Sequence, residues 1–383
     1  MQPVMKDLFK NYKIGILGGG QLGRMLVKSG MDYGLDFKAM DPDAEAPIRK
    51  YLHEFTQGKI TDYQAVKEWG KGCNLITVEI ENVNTEALKD LQEQGITVFP
   101  QPEIIELIKD KAEQKKFYQA HNIPTAPFRL VKNKQEVIAL KNGLPFVNKL
   151  AREGYDGRGV QVIRTQEDLK NAFDAPGIVE ELIPFEKEIS VLVARNSSGQ
   201  TKTYPVVEMV FHPEHNLVEY LFAPAEISSK IDSEAKRIAV EVIEKLEMVG
   251  LLAVEMFVTK EGKVLVNEVA PRPHNSGHQT IEANITSQYE QHLRAILDLP
   301  LGDTTALMPS AMVNLLGEEG YQGPAKYRGL GEVMAEKGVH VHLYGKSNTR
   351  PFRKMGHVTI TDPDAQELKR KANFVKNTLK VIS

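Results

Sequence analysis

The sequence holds one cysteine in 383 residues, Cys73. A single thiol excludes both a disulfide framework and a cysteine-based zinc site. Long apolar runs are missing as well: none approaches the ~18 residues that a membrane span needs. The opening stretch MQPVMKDLFKNYK lacks the apolar centre of a secretory signal. Neither sign of charge dominates, with 48 Lys and Arg against 51 Asp and Glu and a net charge of −3. No basic block therefore marks a nucleic-acid surface. The expectation is a cytoplasmic globular protein that binds neither nucleic acid nor membrane. At about 100–200 residues per domain, the length suits two or three domains. Hydrophobic residues, 42% of the chain, are ample for their cores.

From about residue 13 to 100, apolar strands alternate with amphipathic helices. KIGIL, DFKAMDPD, CNLITVEIE and TVFP read as strands; QLGRMLVKSGMDYG, TDYQAVKEWGKG and NTEALKDLQEQG read as helices. This order predicts a parallel sheet covered on both faces. Pro100 and Pro102 mark a boundary, followed by one long helix over about 102–121. The middle of the chain reads as antiparallel hairpins interrupted by a helix over 232–249. After about 301, short strands precede a last helix over about 363–378. The expected fold class is a multidomain α/β and α+β chain. It has a Rossmann-like N-terminal domain over 1–100, an α+β domain over 101–300 and a small β-rich domain over 301–383.

Glycine loops and paired acids carry the chemistry. In KIGILGGGQLGRML, Gly18, Gly20 and Gly23 fit G-x-G-x-x-G, and Asp41 lies 23 residues after Gly18. Such a loop offers backbone N–H groups to an anion, and an acid at that spacing suits a ribose. Two readings stay open: a dinucleotide site, or a tight strand–helix turn with Asp41 capping a strand end. A second loop, EGYDGRG (Glu153–Gly159), lies between two strands and reads as a flap on a hairpin. A flap closes its backbone over phosphates, with Lys149 on the entering strand; the plainer alternative is a surface hairpin.

The strongest signal is LLAVEMFVTKEGKVLVNEV. An even-length turn centred on Glu261–Gly262 pairs residues whose numbers sum to 523, which sets Glu255 opposite Glu268. Opposed Cβ atoms lie roughly 4.5–5.5 Å apart, where like charges repel. Two carboxylates crowded beside apolar neighbours favour a cation over a solvated acidic hairpin. Mg2+ takes such a pair together with substrate phosphates. APRPHNSGH follows directly and bunches Arg272, His274, Asn275 and Ser276 beside the pair. RPFRKMGH places Arg350, Arg353 and Lys354 together, as a phosphate site or as a solvated basic turn.

The flap with its entering lysine, and the late hairpin ending in Asn-Glu, resemble the ATP-grasp superfamily. GGGQLGRML, TVEIEN (Thr77–Asn82), EGYDGRG, LLAVEMFVTKEGKVLVNEVAPRPHNSGH and RKMGH span about residues 13–360. Together they are similar to the 5-(carboxyamino)imidazole ribonucleotide synthase family of purine biosynthesis. The resemblance implies an ATP-grasp central domain and an ATP-dependent C–N ligase. Such an enzyme uses Mg-ATP and bicarbonate to form carboxyphosphate, and then carboxylates the amine of 5-aminoimidazole ribonucleotide.

By the same resemblance, ATP would meet Lys111, Lys149, Gly154, Tyr155, Asp156, Gly157, Arg158, Gly159, Val160, Asn267 and Glu268. Glu180, Glu181, Leu182 and Ile183 would form the adenine hinge, and Glu188 would bind the ribose. Mg2+ would sit on Glu255 and Glu268, and Arg272, His274, Asn275 and Ser276 would line the reaction centre. The ribonucleotide would meet Gly20, Gln21, Leu22, Glu79, Tyr155, Arg350, Arg353 and Lys354. A homodimer is expected from the resemblance alone.

Several positions depart from the family pattern. Lys111 stands where the family carries arginine, which keeps the charge and loses the bidentate fork. The flap begins Glu153-Gly154 instead of Gly-Gly, Val160 replaces Gln, and Phe352 replaces a common glycine. His212 falls one step from a nucleotide-contacting histidine and is not assigned that role. An NAD-dependent oxidoreductase is the rival reading, but it leaves the acidic hairpin, the flap and the basic turn unexplained. Another ATP-grasp carboxylate–amine ligase is disfavoured by PRPHNSGH. A non-catalytic nucleotide-binding protein would lack Lys149 or a metal glutamate, and neither is missing.

Overall fold

A computed structural model describes residues 11–152, 159–211 and 218–383. Gly154, Tyr155, Asp156, Gly157, Arg158 and His212 lie outside the described residues. The alternating N-terminal segments form a five-stranded parallel sheet. Its order is Glu54–Gln57, Asp36–Asp41, Lys13–Leu17, Leu75–Val78, Thr97–Val98. Ile14, Ile16, Leu75 and Ile76 are fully buried, as strands covered on both faces require. The strand order reverses between Lys13–Leu17 and Leu75–Val78. The loops leaving these two strands, Gly18–Gly20 and Glu79–Glu81, therefore flank the crevice where parallel sheets bind ligands.

The long helix expected over 102–121 is two helices, Pro102–Ile108 and Lys111–Ala120. Asp110 breaks the run: its carboxylate accepts from the backbone N–H groups of Ala112 and Glu113 and starts a new helix. That cap places Lys111 at a helix start.

A four-stranded antiparallel sheet follows, in the order Phe128–Val131, Gly177–Glu181, Phe146–Leu150, Val160–Ile163. Lys149 pairs with Val160, so the described ends of the flap are those of a hairpin. The third sheet has nine strands. Val264–Ala270, Gly250–Thr259, Phe185–Arg195, Val207–Phe211 and Val218–Ala223 lead directly into Ser310–Leu316, Lys354–Thr361 and Val339–Leu343. Thr201–Thr203 pairs with Phe185–Arg195. The β-rich C-terminal segment thus shares a sheet with the central region, joined where Leu221 pairs with Met312.

Helix Ser229–Lys245 covers one face of this sheet, packing Ala235, Ile238, Ala239 and Val242 on Val254, Met256 and Val258. The opposite residues of the same strand, Glu255 and Phe257, are left for the site. Helix Gln288–Ile296 binds the N-terminal sheet to the rest, with Tyr289, Leu293 and Ile296 in one core with Ile14, Ile16 and Leu26.

Candidate active site

Glu255 and Glu268 are paired across the hairpin, but the turn is not the even-length one expected from the sequence. Thr259 N–H donates to Lys263 O, leaving a three-residue loop in which Gly262 takes φ of 76°. That loop pairs Val258 with Val264 and Met256 with Val266. Continued unchanged, this register would set Asn267 against Glu255 and turn Glu268 to the core face. A β-bulge at Asn267 inserts one residue and restores the glutamate pairing. Ser190, on the next strand, stands opposite Glu255 on its other side.

The bulge lets consecutive residues serve one cavity. Asn267 Oδ1 accepts from Lys149 Nζ at 2.9 Å, while Glu268 Oε2 pairs with Lys111 Nζ at 2.6 Å. Lys149 also lies 2.7 Å from Glu180 Oε2, and Lys115 lies 2.5 Å from Glu180 Oε1. Lys111, Lys115, Lys149, Glu180, Asn267 and Glu268 line the same narrow cavity. A wider surface groove beside helix Ser229–Lys245, lined by Thr203, Lys236 and Arg237, includes none of these groups.

Lys111 holds the Glu268 carboxyl well below the usual carboxylate range. Glu255 is pushed the other way by burial, by Glu268 and by Glu188. Burial raises Glu188 to about 7, against the pull of Lys149. This excess of crowded carboxylate oxygen fits Mg2+, which binds through one or two carboxylates with phosphates completing its shell. Among the described residues, no three His, Cys, Asp or Glu side chains converge as a complete metal cage.

The PRPHNSGH loop brings a second set of groups to Glu255. His274 Nδ1 lies 3.3 Å from Ser276 N and 3.0 Å from Ser276 Oγ, and its Nε2 faces Glu255 Oε1 at 3.7 Å. Ser276 Oγ lies 2.8 Å from Ser190 Oγ. Gln288 fixes the loop from below: its Oε1 accepts from His274 N–H and its Nε2 donates to His274 O, both at 2.8 Å. Asn275 Oδ1 is buried and has no hydrogen-bond partner among the described residues. Arg272 pairs with Glu81, Nε to Oε1 at 2.9 Å and Nη2 to Oε2 at 3.1 Å, which ties this loop to the N-terminal crevice.

The first glycine loop holds an anion of the chain's own. Gly20 N–H donates to Glu79 Oε1 at 2.6 Å, and Gly23 N–H donates to Glu79 Oε2. Asp41 accepts from Gly19 N–H at 2.7 Å and from Asp43 N–H at 2.8 Å. The fingerprint residues are therefore consumed by two carboxylates, where a dinucleotide would need its pyrophosphate and ribose. Of the two readings of this stretch, the tight turn with Asp41 as a cap is the one observed.

Other expected residues divide into two groups. Lys354 is half-buried at the start of strand Lys354–Thr361, and its charge acts on Glu255 and on His278. Arg353 Nη1 instead donates to Asn348 O within its own turn, and Arg350 is exposed. Glu181 is exposed, Leu182, Ile183, Gln21 and Leu22 are half-buried, and Gly159 follows the last undescribed flap residue. Sequence reasoning missed Lys115, Glu81, Ser190 and Gln288. Glu81 lay inside the quoted TVEIEN, and an acid two residues from Glu79 was the available signal; the other three carried none.

The chain whose antiparallel sheets frame this lysine-lined cavity is of the ATP-grasp class: residues 116–289 match the ATP-grasp domain. Residues 11–109 match the ribonucleotide synthetase preATP-grasp domain, and residues 310–371 the phosphoribosylaminoimidazole carboxylase C-terminal domain. The chain belongs to the N5-carboxyaminoimidazole ribonucleotide synthase family, ATP-dependent ligases of purine biosynthesis. It is 37% identical over 367 residues to the Synechococcus elongatus synthase, covering 93% of this chain and 91% of that one. Its match to the Ogataea methanolica phosphoribosylaminoimidazole carboxylase is 36% over 380 residues, 95% of this chain and 69% of that longer protein. The solved Thermotoga maritima synthetase superposes with a TM-score of 0.90 at 42% identity, over 97% of this chain and 99% of that one. The Aspergillus clavatus synthase, solved with ADP and 5-aminoimidazole ribonucleotide, gives 0.86 at 30% identity, over 96% and 98%.

Proposed function

We propose that this chain uses ATP and bicarbonate to carboxylate the exocyclic amine of 5-aminoimidazole ribonucleotide, giving 5-carboxyaminoimidazole ribonucleotide, ADP and phosphate. The observation that supports it best is the Glu255–Glu268 pair, set between a lysine-lined cavity and the Arg272–Ser276 loop. A bicarbonate oxygen attacks the γ-phosphorus and ADP leaves, forming carboxyphosphate. The amine lone pair then attacks its carbonyl carbon. The C–N bond forms, inorganic phosphate leaves with the C–O electron pair, and the amine gives up one proton.

In this reading Lys111, Lys149 and the flap 154–159 neutralise and cover the phosphates. Glu255 and Glu268 would hold Mg2+, which when bound would supply charge neutralisation on the transferring phosphoryl group. Glu180–Ile183 hold adenine and Glu188 the ribose. Arg272 and His274, with Asn275 and Ser276, face the carboxyphosphate. Because that intermediate hydrolyses readily, the site must exclude water. Lys354, joined by Arg350 and Arg353, takes the ribonucleotide phosphate, and Glu79, Gln21, Leu22, Gly20 and Tyr155 form the opposite wall. A cytoplasmic homodimer belongs to the same proposal, and light scattering on the purified chain tests its dimeric part.

ADP release in bicarbonate buffer, with and without 5-aminoimidazole ribonucleotide, tests the reaction. Strongly ribonucleotide-dependent release is expected; release indifferent to the ribonucleotide refutes the substrate.

A further inference from the structure

Lys115 is a lysine that the reaction just described does not use. It is 2% exposed, on a helix whose other lysine toward the cavity is Lys111. Its ammonium donates to Thr125 Oγ1, which in turn donates to Val266 O on the metal hairpin. It also lies 2.5 Å from Glu180 Oε1, while the other oxygen of that carboxylate, Oε2, lies 2.7 Å from Lys149. Glu180 is 3% exposed and Lys149 7%. One buried carboxylate is therefore divided between two buried ammoniums.

We propose that Lys115 is a positioning residue for ATP binding that acts through Glu180 on Lys149. An ammonium has three N–H donors. Lys149 uses one on Glu180 and one on Asn267, which leaves the third for a nucleotide phosphate. With Lys115 in place, Glu180 is half neutralised, and it orients Lys149 without competing strongly with phosphate. Without Lys115, a full carboxylate charge in a dry site bears on Lys149 alone, and the nucleotide must compete with it. Burial pushes the Lys115 ammonium below its usual range, Lys149 and Lys111 push the same way, and Glu180 is the partner that opposes them.

This inference rests on the ATP half of the proposed function and not on the acceptor. It is tested by calorimetric binding of Mg-ATP without ribonucleotide, alongside KM and kcat. Lys115→Met is expected to weaken ATP binding and raise its KM by about tenfold or more, with kcat at saturating ATP and the KM for ribonucleotide little changed. Lys115→Arg is expected to restore part of the loss. In a Glu180→Gln background, Lys115→Met is expected to add little, because the residue it acts through is already neutral. ATP affinity within about twofold of wild type in a folded Lys115→Met overturns the proposal. So does an equal loss in the Glu180→Gln background, which would make Lys115 a direct nucleotide ligand. If Lys115→Met alone fails to fold, the comparison of Glu180→Gln with the double variant decides. Absence of ribonucleotide-dependent turnover in an enzyme that binds Mg-ATP would sink the acceptor assignment and leave this inference standing.

Discussion

The carboxylate of Glu79 accepts the Gly20 amide at 2.6 Å, at the start of helix Gln21–Met31. It fills the anion site that the glycine fingerprint advertises. NAD or NADH is therefore expected to give no thermal shift, and Mg-ATP a clear one. Glu79→Ala leaves the Gly20 and Gly23 amides without their acceptor. It should destabilise the fold by about 1–3 kcal/mol in urea titration, and unchanged stability would show that the cradle is filled some other way.

Glu268→Gln keeps the shape of the glutamate pair and removes the charge of Glu268. Turnover should fall at least about a hundredfold, in keeping with the loss of a preorganised charge at a phosphoryl-transfer site. Circular dichroism should stay native. Activity near wild type would mean that Glu268 is not a metal ligand.

Deletion of Asn267 removes the bulge. The register of the turn would then run on, and the residue after Val266 would be the glutamate, no longer accompanied by an acceptor for Lys149. The expected result is a folded hairpin with strongly weakened Mg-ATP affinity, read by calorimetry. Native affinity in the deletion variant would contradict the role given to the extra residue.

Acid should destabilise this protein through its buried histidines. Leu251 N–H donates to His292 Nδ1, so the ring is neutral, and burial lowers its pKa to about 3. His278 and His357 are pushed down by burial as well. Each is ordinary when unfolded, so below about pH 6.5 the unfolded chain binds more protons and stability falls. The slope should reach about 1.4 kcal/mol per pH unit for each histidine titrating, measured from urea midpoints between pH 7 and about pH 4.5. A flat profile across that window would mean that the three rings are accessible to protons in the folded state.

The hairpin was legible because alternating apolar residues fix which face each side chain takes, and a Glu-Gly turn fixes where the chain reverses. The pairing of Glu255 with Glu268 was correct, although the turn is odd in length and the bulge supplies the one-residue difference in register; no local pattern announces a bulge at Asn267. The glycine loop was legible as backbone geometry but silent about its occupant, because Glu79 comes from a distant strand end. Lys115 lies in a helix rich in lysine and glutamine, where nothing in the sequence marks one lysine for burial; tertiary packing buries it together with Gln114 and Tyr118. Phe352 departs from the family glycine at a residue with φ of 62°, where a side chain costs about 1–2 kcal/mol. The departure was visible in the sequence; the left-handed turn accounts for a glycine at this position, and nothing in the structure explains the phenylalanine.

The nine-stranded sheet makes the chain indivisible where its sequence looks divisible. Three strands after residue 309 complete a sheet whose other strands carry Glu255, Asn267 and Glu268. A fragment ending near residue 300 would keep every residue assigned to ATP and Mg2+, yet its Val218–Ala223 strand would become a bare edge with unpaired amides and carbonyls. Such an edge recruits other chains. The fragment should therefore aggregate instead of surviving as a minimal ATPase; a monodisperse fragment with native Mg-ATP affinity by light scattering and calorimetry would show the two parts to be separable.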